Sequence, residues 1–289
     1  MACEGTSEGP QVFSPRSAEW LDAHRKKAWE WWHKTKPGKL WAAPLVGQSE
    51  LAFRMLVRSY GATCAHTPMI DAGGYAKSEK YRAEFPMQDK ESLDRPVVAQ
   101  FGGSKADDLV NAARYAAPHC DAVEINIGCP QRCARKGHYG AFLMDTPGHL
   151  CSLVRAMSEE TDVTILCKMR IFDSTEKTVE LARQLEASGA TVLTVHGRTK
   201  EKGGGKGQKG SADWDTIKAV KLALGIPVVS NGNVNTLEEV EACLEYTGCD
   251  AVMSGCGLLA NPALFSGSQI SPLELCLKYL GKFDPQIQA

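Results

Sequence analysis

The sequence predicts an α/β protein of the (β/α)8, or TIM, barrel class, and three observations carry the prediction. From residue 40 onward, eight short runs rich in Val, Ile and Ala alternate with amphipathic helical segments. The length of 289 residues accommodates a barrel of about 250 residues as one unit. Polar side chains gather at the carboxyl ends of the runs, the end at which such barrels carry their chemistry. A doubly wound open sheet uses the same alternation, but an even run of eight units is what closes a barrel.

Taken in order, the strand runs are LWAAPLV (40–46), CAHTPMI (64–70), VVAQF (97–101), DAVEINIG (121–128), VTILCKM (163–169), ATVLTVHG (190–197), PVVSNG (227–232) and DAVMSG (250–255). The segment 49–61 between the first two reads as a helix with Leu51, Met55 and Leu56 on one face and Gly61 as its stop. Segments 175–189 and 236–248 each open on a Thr cap candidate and end at Gly. Residues 1–39 stand outside the repeat as an extension, helical over 18–39 until Pro37 and Gly38 stop it, with Leu21, Ala28 and Trp32 on one stripe. The barrel spans 40–266. The tail 267–289 has room for one helix around 272–281 and for no further domain.

Composition excludes several classes. With 43% hydrophobic and 23% charged residues, the chain is not one that stays disordered. No stretch approaches the roughly 18 uninterrupted apolar residues of a membrane span, and the first residues lack the basic-then-apolar plan of a secretory signal. A cytoplasmic location follows, with an organellar interior also open. The eleven cysteines, an odd number in a chain too long to need staples, read as thiols. A net charge of -1 leaves any nucleic-acid binding to local basic patches.

Six of the strand ends are loaded. Gln100 ends the third run, Asn126 with Gly128-Cys129-Pro130 the fourth, Lys168 and Arg170 the fifth, His196 and Arg198 the sixth, Asn231-Gly232-Asn233 the seventh and Ser254-Gly255 the eighth. Taken singly, an Asn or Gln there is a turn-former and His196 a structural histidine. Lys168 is harder to explain away, because a buried unpaired ammonium costs several kcal/mol; it should face an anionic ligand or an electron-rich ring. The small residues after the last two strands offer backbone amides where barrels commonly hold a phosphate, which points to a phosphorylated cofactor. Gly128 and Pro130 fix an exposed turn that carries the Cys129 thiol over the barrel mouth; on spacing alone Cys129 also reads as a small apolar residue. No Cys/His spacing argues for a metal.

From about Ala43 to Phe265 the chain resembles the flavin-dependent tRNA-dihydrouridine synthases. The resemblance is carried by APLVGQSELAFRML (43–56), TPMI (67–70), INIGCPQRCARKGHYGAFLMD (125–145), CKMR (167–170), LTVHGRTKE (193–201), SNGNV (230–234) and NPALF (261–265). QSELA and GHYGAFL look most like the eukaryotic subgroup that modifies D-loop positions 16 and 17. The resemblance implies reduction of uridine in tRNA to 5,6-dihydrouridine, with FMN as cofactor and NADPH or NADH as reductant. The resemblance further implies that reduced FMN would deliver hydride from N5 to C6 and that Cys129, which matches the general acid, would supply the proton at C5. Pro44, Leu45 and Val46 match the loop against the flavin, Gln100 and Lys168 its ring ligands, and Asn126 and His196 further cofactor contacts. Asn231, Gly232, Asn233, Gly255 and Cys256 match the phosphate cradle, and Arg170, Arg198 and Lys136 are assigned to the substrate.

Four departures accompany the resemblance. Leu45 stands where the family usually has Met. Cys256 replaces the usual Arg of the cradle, which predicts a weaker hold on FMN. The loop after HGRTKE reads GGGKGQKG, and the C-terminal helical domain that clamps tRNA in the family is essentially absent from this chain.

Residues 24–41 hold six Lys or Arg against one Glu, with four Trp, and 198–209 holds five basic residues against one acid. Basic charge interleaved with aromatics suits phosphate contact and base stacking; a helix packing its Trp stripe on the barrel bottom accounts for the first patch equally well. Two further readings stay open: a flavin barrel acting on a free pyrimidine or small enone, and a flavin-free RNA-binding pseudoenzyme. A Lys168 Schiff-base aldolase is disfavoured, since aldol chemistry does not require Gln100 and Asn126.

Overall fold

The protein was studied as a computed structural model, which describes residues 16–85, 87, 93–201, 210–268 and 270–283, with 282 and 283 described by their backbone alone. Nine strands form: β1 (Leu40–Ala42), β2 (Cys64–His66), β3 (Ile70–Asp71), β4 (Val97–Gly102), β5 (Ala122–Ile127), β6 (Ile165–Arg170), β7 (Val192–His196), β8 (Val228–Asn231) and β9 (Ala251–Ser254). All pair in parallel. β1 pairs with both β2 and β9, and β2 pairs with β4, so eight strands close into a ring.

The predicted second strand splits in two. Pro68 has no N–H to give the ladder, and the chain resumes pairing with β4 only at Ile70↔Phe101. The first strand is also shorter than its apolar run, ending at Ala42 before Pro44. Its remainder becomes loop at the carboxyl end of the barrel.

Alternation along the strands gives two packed surfaces. Trp41, Cys64, Val98, Ala122, Leu166, Val192, Val229 and Ala251 fill the barrel interior as one buried cluster. Their neighbours in sequence, such as Val97, Val123, Ile165, Leu193 and Val228, pack outward against the helices. The helical layer is α1 (Ala18–Thr35), α2 (Leu51–Arg58), α3 (Ala72–Lys77), α4 (Glu79–Arg82), α5 (Ala106–Ala116), α6 (Arg132–Lys136), α7 (Pro147–Glu160), α8 (Thr175–Ser188), α9 (Trp214–Ala223), α10 (Leu237–Thr247), α11 (Cys256–Ala260) and α12 (Pro272–Phe283).

Sequence expectations hold in kind and shift in detail. In α2 the buried face is Ala52, Phe53, Leu56 and Val57, whereas Leu51 and Met55 are half-buried. The cap of α8 is Ser174, whose side chain accepts from Lys177 N, one residue before the Thr the sequence pointed to. Thr236 does cap α10, and Gly189 and Gly248 close α8 and α10 with positive φ. No helix among the described residues is long and apolar enough to cross a membrane.

Helix α1 lies across the amino end of the barrel. Trp31 Nε1 donates to Asp121 O, just before β5, and Trp29 Nε1 to Gly225 O, before β8. The His24 ring meets Ala190 O, before β7. Trp32 stacks on Trp41 inside the barrel with centroids 5.7 Å apart. Arg25 makes two hydrogen bonds to the buried Glu186. The Trp-stripe reading of this helix is therefore the one realised, and its basic residues sit at the end opposite the mouth.

Candidate active site

At the carboxyl end a cavity of about 430 Å³ opens, within the usual range for small-ligand sites. Every residue placed at the cofactor from sequence lines it: Pro44, Leu45, Val46, Gln100, Asn126, Lys168, His196, Asn231, Gly232, Asn233, Gly255 and Cys256. Cys129, Arg170 and Arg198 line it too. Lys136 does not; it is exposed on α6, which follows the Cys129 turn. Met69, Gln48, Gln131 and Met253 are lining residues to which the sequence reading gave no role.

Strand alternation explains the convergence. Lys168 and Arg170 are two apart on β6, so both project inward, and register brings Asn126 beside Lys168 and His196 beside Arg170. Lys168 Nζ donates to Asn231 Oδ1 at 2.9 Å, and Asn231 Nδ2 donates to Met253 O at 2.8 Å. Burial lowers the Lys168 pKa to about 8, with Arg170 adding to the depression and Glu124 opposing it. Burial likewise brings Arg170 down to about 10, helped by Arg198.

His196 is the neutral member of the group. Its burial, reinforced by Lys168, Arg170 and Arg198, holds its pKa far below the ordinary histidine value. Its Nε2 lies 3.2 Å from Arg198 Nη1, and a guanidinium only donates, so the ring proton sits on Nδ1. Among the described residues, three cations and no carboxylate line the cavity. The site is built for an anion.

Small residues make the cradle. Gly232 has φ +114°, and a Cβ there would lie 2.8 Å from Ala212 Cβ; Asn233 follows with φ +55°. A side chain on Gly255 would press on Ala43 at 3.3 Å. Arg198, expected at the substrate, braces this cradle: Nη2 donates to Asn233 Oδ1 at 2.6 Å and Nε to Gly210 O at 2.9 Å. The backbone cradle, the deep cation Lys168 and the apolar loop 44–46 thus line one cavity.

The Cys129 turn is held from three sides. Asn126 Oδ1 accepts from the backbone N–H groups of Gly128 and Cys129, each at 2.9 Å. Arg170 Nε donates to Gly128 O at 2.7 Å. Cys129 O accepts from Ala141 N at 3.0 Å, with Gly140 packed so closely that a Cβ would lie 2.6 Å from that oxygen. Half-burial raises the Cys129 thiol pKa above its usual value, only partly offset by a backbone hydrogen bond at Gln131. At neutral pH it holds its proton.

Sequence reasoning missed Glu124. It is fully buried on β5, two residues before Asn126 and therefore on the same inward face. Like Lys168, it is an ionisable side chain at an inward strand position, where burial demands a partner.

Known proteins bear on this site. A mouse (Mus musculus) tRNA-dihydrouridine(16/17) synthase-like protein, whose name carries NAD(P)(+), is 43% identical over 255 residues, covering 88% of this chain and 53% of that protein. The Saccharomyces cerevisiae tRNA-dihydrouridine(16/17) synthase is 45% identical over 231 residues, 78% of this chain and 54% of its own. A human tRNA-dihydrouridine(20a/20b) synthase-like protein is 39% identical over 236 residues, 80% of this chain and 72% of its own. The chain thus spans about half the length of the mouse and yeast relatives. Among solved structures, a 2-naphthoyl-CoA reductase complex superposes with TM-score 0.60 at 12% identity, over 79% of this chain and 49% of that one, a likeness of fold alone. The profile of the dihydrouridine synthase (Dus) family matches residues 41–276, and the chain belongs to that family.

Proposed function

We propose that this protein reduces uridine to 5,6-dihydrouridine in tRNA, with FMN in the barrel mouth and NADPH or NADH as the reductant. The observation that carries the reading is the Cys129 turn, fixed by Asn126 and Arg170 over a cavity that Lys168 also lines. On this reading residues 40–266 are the cofactor-binding barrel. Positions 16 and 17 are favoured, since the relatives so named are 43% and 45% identical against 39% for the 20a/20b relative.

Asn231, Gly232, Asn233, Gly255 and Cys256 would take the phosphate, and Lys168 and Gln100 the ring. Bound there, FMN supplies the hydride-transfer chemistry. Lys168 holds a positive charge at the inner wall, where it favours an electron-rich ring. Cys129 keeps a proton for the carbon that becomes basic when the uracil double bond is reduced, and the neighbouring Arg170 charge stabilises the thiolate left behind. Uracil has to leave its stack to reach this mouth, a cost of a few kcal/mol that contacts outside the pocket must offset. Among the described residues, Arg132, Arg135 and Lys136, exposed on α6 directly after the Cys129 turn, are basic residues that fit the task, and the basic loop 202–209 lies outside the described residues.

The test is an assay of unmodified tRNA transcript and of free uridine with FMN and NADPH, read as dihydrouridine by mass spectrometry. Product on tRNA alone supports the reading. Product on free uridine at comparable kcat/KM would point to a small-molecule reductase instead.

A further inference from the structure

Glu124 is not among the residues that line the cavity, yet it terminates a directional hydrogen-bond chain that ends at the Cys129 turn. Its Oε2 accepts from Gln100 Nε2 at 2.6 Å. Gln100 Oε1 accepts from Asn126 Nδ2 at 2.8 Å. Asn126 Oδ1 accepts from the Gly128 and Cys129 N–H groups. Its other oxygen, Oε1, is buried with no hydrogen-bond partner and stands 3.5 Å from His66 Nε2, also unpartnered. His66 Nδ1 lies 3.0 Å from Ala42 O.

The polarity of this chain is forced at both ends. Backbone N–H groups only donate, so Asn126 must turn its oxygen to the turn and its amide nitrogen to Gln100. The Glu124 oxygen accepts from Gln100 Nε2, so Gln100 turns its nitrogen to Glu124 and its oxygen to Asn126. A flipped Gln100 would set its oxygen against the carboxylate and its N–H₂ against that of Asn126. Each amide nitrogen keeps a second N–H, and both residues line the cavity.

We propose that Glu124 is a positioning residue that sets this polarity: through Gln100 and Asn126 it makes the deep wall present N–H donors to the bound ligand and it steadies the turn that carries Cys129. The ligand half rests on the flavin reading above, since a wall of donors beside Lys168 selects the acceptor edge of a ring. The Cys129 half does not.

The experiment compares Q100E, E124Q and the Q100E/E124Q swap, all near-isosteric. Two readouts are taken: the rate of Cys129 alkylation by iodoacetamide in flavin-free protein, resolved from Cys133 by peptide mass, and the FMN Kd by fluorescence quenching. In E124Q the new amide oxygen still accepts from Gln100 while its N–H₂ turns to His66, so the Cys129 rate stays within about 3-fold of the parent. Q100E opposes two carboxylates, and the Cys129 rate rises and FMN affinity falls by at least about 10-fold each. In the swap the amide at 124 donates to the carboxylate at 100, whose other oxygen accepts from Asn126. The Cys129 rate returns to within about 3-fold of the parent, while FMN stays at least about 10-fold weaker because position 100 offers no N–H.

A swap that leaves the Cys129 rate as high as in Q100E overturns the proposal, and so does a Q100E whose Cys129 rate equals the parent's. If Q100E fails to fold, a swap that folds with the parent's Cys129 rate supports it, and a swap that also fails overturns it. A parent protein that binds no FMN defeats the flavin reading and leaves the Cys129 comparison in force.

Discussion

Arg170 Nε donates to Gly128 O at 2.7 Å, so the turn bearing Cys129 is tied to β6 as well as to its own strand β5. A second bond, Nη1 to Thr199 O at 3.1 Å, ties the same guanidinium to the loop after β7. Three consecutive strands thereby share one side chain. Two of the donors of this residue, assigned from sequence to the substrate, go to backbone carbonyls, while the side chain still lines the cavity.

Replacing Arg170 by Lys should keep a cation in the cavity and lose the fork. We expect dihydrouridine formation to fall about 10²-fold, the usual consequence of misplacing a reacting group by an ångström, with FMN affinity changed far less. Parallel measurement of kcat and FMN Kd checks it; an equal loss in both would make Arg170 a cofactor ligand.

Cys129→Ala separates binding from chemistry. The turn follows β5 whereas the cradle follows β8 and β9, so the variant should bind FMN and accept electrons from the nicotinamide at parental rates. Turnover on tRNA should drop by about 10²-fold or more, the size of a lost general acid. Stopped-flow reduction beside a product assay tests both halves, and parental turnover removes Cys129 from the role.

How much of this was legible in sequence follows from strand periodicity. Lys168, Arg170, His196 and Asn231 stand at strand ends, where a polar residue on an inward position is conspicuous among Val and Ile, and all four meet in the cavity. Position along the strand was legible; direction of hydrogen bonding was not. Nothing in the sequence distinguishes an Arg198 that meets substrate from one that braces Asn233 and Gly210. Glu124 was passed over because it falls mid-strand, where its partner Gln100 comes from a strand some twenty residues earlier, and that register appears only once the barrel closes. The basic, Trp-rich α1 left two meanings open, since charge and aromatic content are the same whether a helix binds RNA or plugs a barrel.

Lys168 gives a pH signature. Its ammonium pKa is pushed down to about 8 by burial, while the phosphate of FMN, with its second pKa near 6, is already a dianion above neutrality. Below about pH 8 the lysine is charged and attracts an anionic ligand; as pH rises through about 8 the free protein loses that charge and affinity falls. The sign for folding is separate: a lysine lowered from 10.5 binds fewer protons folded than unfolded between about 8 and 10.5, so it adds stability as pH rises there. FMN titrations between pH 6.5 and 9.5 should therefore weaken with pH in the parent and run flat in Lys168→Met. A parallel slope in both proteins would assign the titration to another group.

The placement of α1 predicts which basic residues RNA does not use. Lys26 and Lys27 are exposed at the amino end of the barrel, and Arg25 is engaged with Glu186, which also accepts from Gly225 N. Arg132, Arg135 and Lys136 are exposed at the mouth, directly after Cys129. Each phosphate contact contributes close to one unit to the slope of log affinity against log salt. Reversing Lys26 and Lys27 to Glu should leave tRNA affinity and its salt slope unchanged, whereas reversing Arg132 and Lys136 should weaken binding and flatten the slope by about one to two units. Arg25→Ala should act on stability instead, lowering it by about 1–3 kcal/mol through the buried Glu186 oxygens it leaves short of a donor. Filter binding at two salt concentrations and urea unfolding distinguish the three. Loss of salt-dependent binding in the Lys26 and Lys27 variant would mean that tRNA reaches the amino end of the barrel, away from the cavity, and the substrate path proposed from α6 would have to be abandoned.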